Sequence, residues 1–195
     1  MNSDNAEQDQ TAGPMVPKIR ETIAPFDGSV RPIKPGDTVT LRLILEEWVR
    51  DSNNGDIIEA EIDGFMAAMN QNADGIGDRR YVVAETGKSQ VVGVMGQAAP
   101  DQQFLAFAQS DRPVEIVNGF VTATQRGSGV GKKLFASLEQ LARQYGYTEM
   151  IVSSGPRYEE TGWPFWTSLF GPPVAVLQNH YGPGQHAPVW RKSLA

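Results

Sequence analysis

The sequence predicts an α/β (α+β) fold in which one mixed sheet is covered by helices. Short apolar segments with strand character alternate with longer segments whose apolar residues recur every three or four positions. The 195 residues suit one domain large enough to bury a substantial core. No internal repeat is present, and no second domain is required.

Residues 1–28 are polar and rich in Asn, Asp, Gln, Gly and Pro, without a sustained apolar period. Such a stretch cannot offset its own ordering entropy, so it is expected to be a disordered tail ahead of a domain spanning 29–195. Order begins with a short strand at Val30-Arg31-Pro32-Ile33, with Pro tolerated at a sheet edge. Pro35-Gly36-Asp37 then reads as a turn and helix cap, and Leu41, Ile44, Leu45 and Trp48 mark the first helix. After the polar loop Asp51–Asp56, residues Ile58, Ile62, Phe65, Met66 and Met69 share one face of a second helix and read as core.

Tyr81–Ala84 and Val91–Met95 are strands joined as a hairpin across Glu85-Thr86-Gly87-Lys88, and Phe104–Phe107 is expected to prolong the same sheet. A strand from about Pro113 to Thr122 leads into a glycine-rich loop. Leu134, Leu138, Leu141 and Tyr145 then give the third helix a buried side, which Gly146 terminates. Met150-Ile151-Val152 is a buried strand, and a last helix runs near 161–169 with Pro164 close to its start. Terminal strands at about 174–179 and 188–192 flank a loop containing Tyr181-Gly182-Pro183-Gly184.

A net charge of −6 argues against nucleic acid as the main partner, since neutralising phosphates needs a basic surface. It suits cationic small molecules or peptides. With no cysteine there is no disulfide, no thiolate metal site and no cysteine nucleophile. No apolar run approaches a membrane span and no signal pattern opens the chain, so a cytoplasmic protein with no membrane partner is expected. His180 and His186 lack further ligands at diagnostic spacing, so no metal site is expected.

The most informative stretch runs from Val117 to Phe135, an apolar strand, a glycine-rich turn and a helix start. Backbone N–H groups at a helix N-terminus offer an anionic phosphate both donors and a favourable dipole. A Walker loop fails, because Arg126 stands where its first glycine belongs and Lys133 where its Ser or Thr belongs. The dinucleotide fingerprint fails at Lys132, and too little chain follows Gly131 for a doubly wound domain. Arg126, Gly129 and Gly131 instead spell Arg-x-x-Gly-x-Gly after a strand and at a helix start.

This pattern resembles the acetyl-CoA-binding loop of the GNAT N-acetyltransferases, and the element order from Val30 to Leu194 is similar to theirs. The resemblance implies a strongly twisted mixed sheet whose central parallel strands, ending near Val121 and at Met150–Val152, splay apart to form a cleft. The pantetheine arm would pair with backbone groups of Phe120 and Val121, which splaying leaves without partners. Asn118-Gly119 would mark the bulge that opens the strands, or be a plain strand with a flexible glycine. The pyrophosphate would rest on N–H groups of Arg126, Gly127, Gly129, Val130 and Gly131, with Lys132 nearby. Lys132 and Lys133 read equally as a solvated helix face.

Acetyl transfer needs a neutral amine, whereas a free alkylamine has a pKa of about 10 and is mostly charged at neutral pH. Glu115, eleven residues before Arg126, stands where the histone-acetylating branch of the resembled family keeps its glutamate base. A solvent-facing glutamate explains it as well. The backbone N–H of Val121 would polarise the thioester carbonyl. Trp166 occupies the place of the family's thiolate-protonating tyrosine and cannot act as an acid, so it would pack against the pantetheine arm or fill the core. Tyr158, or Tyr181, would substitute or be a packing or rim residue, and a coenzyme A thiolate could also leave without a dedicated acid.

The resemblance thus implies an acyltransferase that moves the acetyl group of acetyl-CoA to a primary amine, on a small molecule, an amino acid or a peptide N-terminus. An acetyl-CoA-binding module that has lost turnover is the alternative. Acidic residues between Glu46 and Asp63 would attract a cationic acceptor, or be plain helix surface. A homodimer is left open.

Overall fold

The computed structural model describes residues 23–194. The expected tail therefore lies mostly outside the described residues. Of its last six residues, Phe26 is buried and donates its N–H to the carbonyl of Ser128 at 2.9 Å.

Seven strands form one sheet: β1 (Ser29–Pro32), β2 (Arg80–Glu85), β3 (Val91–Ala98), β4 (Pro113–Val121), β5 (Glu149–Ser153), β6 (Ala175–Leu177) and β7 (Ala187–Ser193). Their order across the sheet is β1-β2-β3-β4-β5-β7-β6. Every neighbouring pair is antiparallel except β4 and β5. The helices are α1 (Thr38–Trp48), α2 (Glu59–Ala73), a single turn α3 (Gln102–Leu105), α4 (Val130–Gln144) and α5 (Gly162–Phe170). Among the described residues, no helix is long and apolar enough to cross a membrane.

The helices cover both faces of the sheet. On one face Val130, Leu134 and Leu138 of α4 and Trp166 of α5 pack against Val114, Ile116, Met150 and Val152. On the other, Leu41, Ile44 and Leu45 of α1 and Ile62 and Met69 of α2 cover Val83, Val94 and Phe120. The apolar periods expected for α1, α2 and α4 are these buried stripes.

The local signals behave as their chemistry requires. Gly146 adopts φ 74° after α4, and the N–H groups of Gly146 and Tyr147 return to the carbonyls of Arg143 and Ala142 at 2.9 and 3.0 Å. This is the Schellman closure that glycine permits. Pro164 sits in the first turn of α5, where an N–H would have no partner inside the helix. The segment Phe104–Phe107 departs from expectation. It does not extend the sheet, because Asp101 accepts from the Gln103 N–H at 2.9 Å and caps the turn α3. Phe104 is still buried, against Ile151 and Val189. The terminal strand expected at 174–179 is confined to Ala175–Leu177, since Asn179 turns the chain with φ 56°.

Candidate active site

The parallel strands β4 and β5 pair only from Pro113↔Glu149 to Glu115↔Ile151. Beyond that point β4 continues to Val121 and β5 to Ser153 without pairing to one another. The divergence opens a cleft in the middle of the sheet, directly before the glycine loop.

A bulge in β4 shapes this cleft. Val94 faces Phe120 and Gly96 faces Val117, so two steps along β3 match three along β4. The extra residue reverses which face the side chains meet. Ile116 lies on the α4 side, whereas Val117 and Phe120 lie on the α1 and α2 side and Val121 returns to the α4 side. The left-handed residue is Asn118 at φ 52°, not Gly119. Its side-chain oxygen accepts from the buried hydroxyl of Tyr81 at 2.7 Å, and the Tyr81 ring is admitted by Gly96, where a Cβ would stand 2.4 Å from it. Gly119 has another task. A Cβ there would stand 3.3 Å from Met95 and 3.5 Å from Trp166, at the exposed crest of the bulge.

Val121 faces the cleft. The N–H of Thr122 donates to Val92 of β3 at 2.9 Å, and successive backbone groups of a strand alternate, so the N–H and C=O of Val121 point to the opposite edge. Its carbonyl there accepts from the indole Nε1 of Trp48 at 2.8 Å. The N–H beside it is the donor expected from the sequence to polarise the thioester carbonyl. Trp48 also packs on Phe120 and Tyr158, with ring centroids 6.3 and 5.9 Å away.

At the end of β4 a short turn Ala123–Gln125 leads to the glycine loop. Gly127 and Gly129 adopt φ 82° and 98°, which L side chains rarely adopt. Gly131 is held small by packing, since a Cβ would stand 3.0 Å from the Phe165 ring. The first internal bond of α4 runs from the Lys133 N–H to the carbonyl of Gly129 at 3.1 Å. The N–H groups of Val130, Gly131 and Lys132 therefore have no acceptor within the helix and are disposed toward an anion. The Arg126 N–H is used otherwise, by the carbonyl of Ala123 at 3.3 Å. Its guanidinium lies 3.8 Å over the Trp48 ring and 4.0 Å from the Glu47 carboxylate. Glu47 in turn accepts from the Thr122 hydroxyl at 2.7 Å and the Ala123 N–H at 2.6 Å. Arg126 thus joins the loop to α1 in this structure.

Glu115 is half-buried on the α2 side of β4 and accepts from the Asp101 N–H at 2.8 Å. Burial pushes its carboxyl above the usual carboxylate range, more than that hydrogen bond lowers it. Tyr158 lies on the turn Pro156–Tyr158 after β5, with its ring 6.1 Å from that of Phe120. Burial raises its phenol, against the lowering effect of Arg157, whose Nη1 is 3.5 Å from the hydroxyl. Arg157 pairs with Glu61 at 3.1 Å. The half-exposed Tyr181 packs against Gly155 and lies within the fields of Glu115, Glu61 and Arg157. Glu61 of α2, Arg157 and Tyr158 after β5 and Tyr181 of the last loop are thus electrostatic neighbours, and Tyr181 also lies near Glu115 of β4. Trp166, 6% exposed, reaches the bulge of β4, 3.5 Å from where a Cβ on Gly119 would stand.

The acidic segment Glu46–Asp63 is partly paired and keeps a net negative charge. Arg42 pairs with Glu46, Glu59 and Asp63, while Asp51 and Asp56 bond within their own loop. His180 and His186 do not converge on a common point, one meeting Gln103 and the other the Asn179 N–H. No cluster of three His, Asp or Glu side chains able to hold a metal occurs among the described residues. Sequence reasoning passed over four contributors: Trp48, read only as a marker of the first helix, Asp101, the Tyr81–Asn118 bond, and Phe26. Only the short Asp-x-Gln cap signal before α3 was available for any of them.

Residues 38–157 match the acetyltransferase (GNAT) family. No curated protein is similar at the sequence level. Among solved structures, yncA from Salmonella typhimurium, determined with its cofactor acetyl-CoA, is similar at 17% identity and a TM-score of 0.62, covering 87% of this chain and 95% of that one. NAA60 from Arabidopsis thaliana, in complex with a bisubstrate analogue, is similar at 18% identity and a TM-score of 0.64, covering 85% and 97%. The ribosomal-protein-alanine N-acetyltransferase of Brucella melitensis is similar at 21% identity and a TM-score of 0.61, covering 85% and 99%. With a splayed parallel pair, a bulged strand and an Arg-x-x-Gly-x-Gly helix start inside the matched span, the chain belongs to the acetyltransferase (GNAT) family.

Proposed function

We propose that the protein transfers the acetyl group of acetyl-CoA to a primary amine by direct attack, without an acyl-enzyme. The observation that carries this reading is the opening of β4 from β5 after Glu115↔Ile151, in front of the glycine loop. The Val121 N–H, whose neighbouring carbonyl is already taken by Trp48, faces this cleft, and an extended pantetheine arm supplies it with a partner. The pyrophosphate takes the N–H groups of Gly127, Gly129, Val130 and Gly131, with Lys132 beside them.

In this reading Glu115 takes the amine proton, directly or through water, and its raised pKa brings it nearer to the operating pH. The Val121 N–H stabilises the developing oxyanion. The Tyr158 phenol, kept protonated by burial, donates to the departing thiolate. The acceptor is a small-molecule amine, an amino acid or a peptide N-terminus. Thiol release against such a panel tests the reading. Glu115→Gln should lower kcat by about 10²- to 10⁴-fold with the acetyl-CoA Kd unchanged. Activity of the unaltered protein should fall with decreasing pH at values above those of an ordinary glutamate, and the substitution should remove that limb. Unchanged turnover in Glu115→Gln would exclude Glu115 as the base.

The near-complete burial of Trp166, where the family's tyrosine is expected, favours one second reading, a module that binds acetyl-CoA without turnover. Saturable acetyl-CoA binding with no thiol release toward any amine would establish it.

A further inference from the structure

The segment Ile23–Gly28 reaches the glycine loop from the side of β2 and β3, with Gly28 against Glu85 and Phe26 against Val82, Ala84 and Val92, and these strands lie across β4 from β5 and the cleft. The Phe26 N–H donates to the Ser128 carbonyl at 2.9 Å. The Ile23 side chain comes within 3.6 Å of where a Cβ on Gly127 would stand. Lys133, in the first turn of α4, approaches the Gly28 carbonyl at 3.4 Å and lies 5.1 Å from the centre of the Phe26 ring. The strap is anchored by two residues. Phe26 is 7% exposed within the core beneath α4, and at Gly28 a Cβ would stand 2.1 Å from the Glu85 carbonyl and 2.5 Å from the Phe26 ring.

We propose that this strap positions the phosphate cradle: by holding the Ser128 carbonyl, Phe26 turns the Gly129 N–H toward the coenzyme. The inference rests on the acetyl-CoA reading of the cleft. In a planar trans peptide the C=O of one residue and the N–H of the next point in opposite directions. Fixing the Ser128 oxygen on the strap side therefore aims the Gly129 N–H away from the strap. Gly129 sits at φ 98° and ψ 0°, a conformation of glycine, and glycine gives a peptide plane little resistance to turning over. A reversed plane would present a carbonyl oxygen to an anion in place of an N–H, so the strap selects the binding orientation before the coenzyme arrives. Lys133 is engaged on the strap by the same arrangement.

The test uses the full chain and two donors. Acetyl-CoA carries the pyrophosphate, and acetyl-pantetheine carries the thioester and the arm without it. Phe26→Ala and Gly28→Ala each displace the strap without altering a loop residue, and Phe26→Leu keeps the apolar anchor. Both displacing variants should weaken acetyl-CoA binding about tenfold, equivalent to about 1.4 kcal/mol. Affinity for acetyl-pantetheine should be unchanged, and Phe26→Leu should bind acetyl-CoA like the unaltered protein. In the unaltered protein the Phe26 amide should be protected from hydrogen exchange. Unchanged acetyl-CoA affinity in the folded variants would overturn the proposal. So would an equal loss for both donors, which would make the strap a prop for the fold alone. If the unaltered chain bound neither donor, the acetyl-CoA reading would fall and the strap proposal with it.

Discussion

Tyr81→Phe removes one oxygen atom, and that atom holds the bulge of β4 in place. The Tyr81 side chain is 2% exposed, and its hydroxyl donates to Asn118 Oδ1 at 2.7 Å. Asn118 is the left-handed residue on which the β4 bulge turns, and the bulge sets the directions of Phe120 and Val121. Losing the bond and stranding a half-buried acceptor should cost about 2 kcal/mol. For a chain of this size that lowers Tm by about 4–8 °C. Asn118→Gly keeps the positive φ and loses the same bond. Asn118→Ala loses the bond and also forces a Cβ into the left-handed region, and should be about 1 kcal/mol worse than Asn118→Gly. Urea unfolding of Tyr81→Phe, Asn118→Gly and their combination closes a double-mutant cycle. The combination should be clearly less costly than the sum of the two, because one bond is lost only once. Turnover should fall about tenfold in Tyr81→Phe, since small displacements of a donor at a reacting carbonyl are costly. Additive stability effects with unaltered turnover would refute the claim that this bond supports the site.

Two further outcomes concern the frame. Arg31 donates to Asp37 at 2.7 and 2.8 Å and to Glu85 at 2.6 Å, all three side chains being less than one-fifth exposed; Arg31→Met should therefore destabilise the fold by about 3 kcal/mol in urea titrations. Burial raises the Asp37 carboxyl, but the Arg31 and Lys34 hydrogen bonds outweigh it and hold it below its ordinary value, and Arg31 likewise depresses Glu85. Their stabilising contribution is thus complete above the ordinary carboxylate range and lost as pH falls through the depressed values. The acid limb of the Tm profile should shrink in Arg31→Met, and an unaltered limb would sink the assignment. At the start of α4, Gly131→Ala brings a Cβ to 3.0 Å from the Phe165 ring; it should be about 1 kcal/mol costlier with Phe165 present than in a Phe165→Leu background, and equal costs would show that the ring moves freely.

Much of the fold was legible because its signals are local. The stripe Leu134, Leu138 and Leu141 and the terminating Gly146 each read the helix α4 from a few neighbouring residues. The segment Phe104–Phe107 failed the same test because an apolar run of four does not declare its period. Whether it pairs with a strand depends on Asp101, whose cap closes a helical turn first. At the site, sequence placed Glu115, Val121 and the loop in order along one strand. The family resemblance offered Tyr158 as a candidate beside them, but nothing in the sequence brought Trp48 there, because that contact spans more than seventy residues of intervening chain. The charges between Glu46 and Asp63 show a different limit of reading by count. As a run they suggest attraction for a cation; three of them share the single guanidinium of Arg42, a pairing that counting along the chain does not reveal and that still leaves the group negative.

The glycines of the loop show how a short motif compresses unlike demands into one letter. Beside a phosphate, one reason would serve for all of them, that a Cβ would hold the anion away from the backbone. In the structure Gly127 and Gly129 answer to backbone conformation, at φ 82° and 98°, and no neighbour lies within 4 Å of a Cβ on Gly129. Gly131 is helical and answers instead to the Phe165 ring. Substitution at 129 therefore strains the turn itself, whereas substitution at 131 separates α4 from α5 and moves the helix whose N–H groups form the cradle. The motif survives only where three conditions hold together: a left-handed turn, a helix start pressed onto α5, and a peptide plane at 128–129 facing the cleft. The first two are met by residues of the motif and by Phe165. The third is met by Phe26, which lies about a hundred residues earlier in the chain and inside a segment whose composition reads as tail.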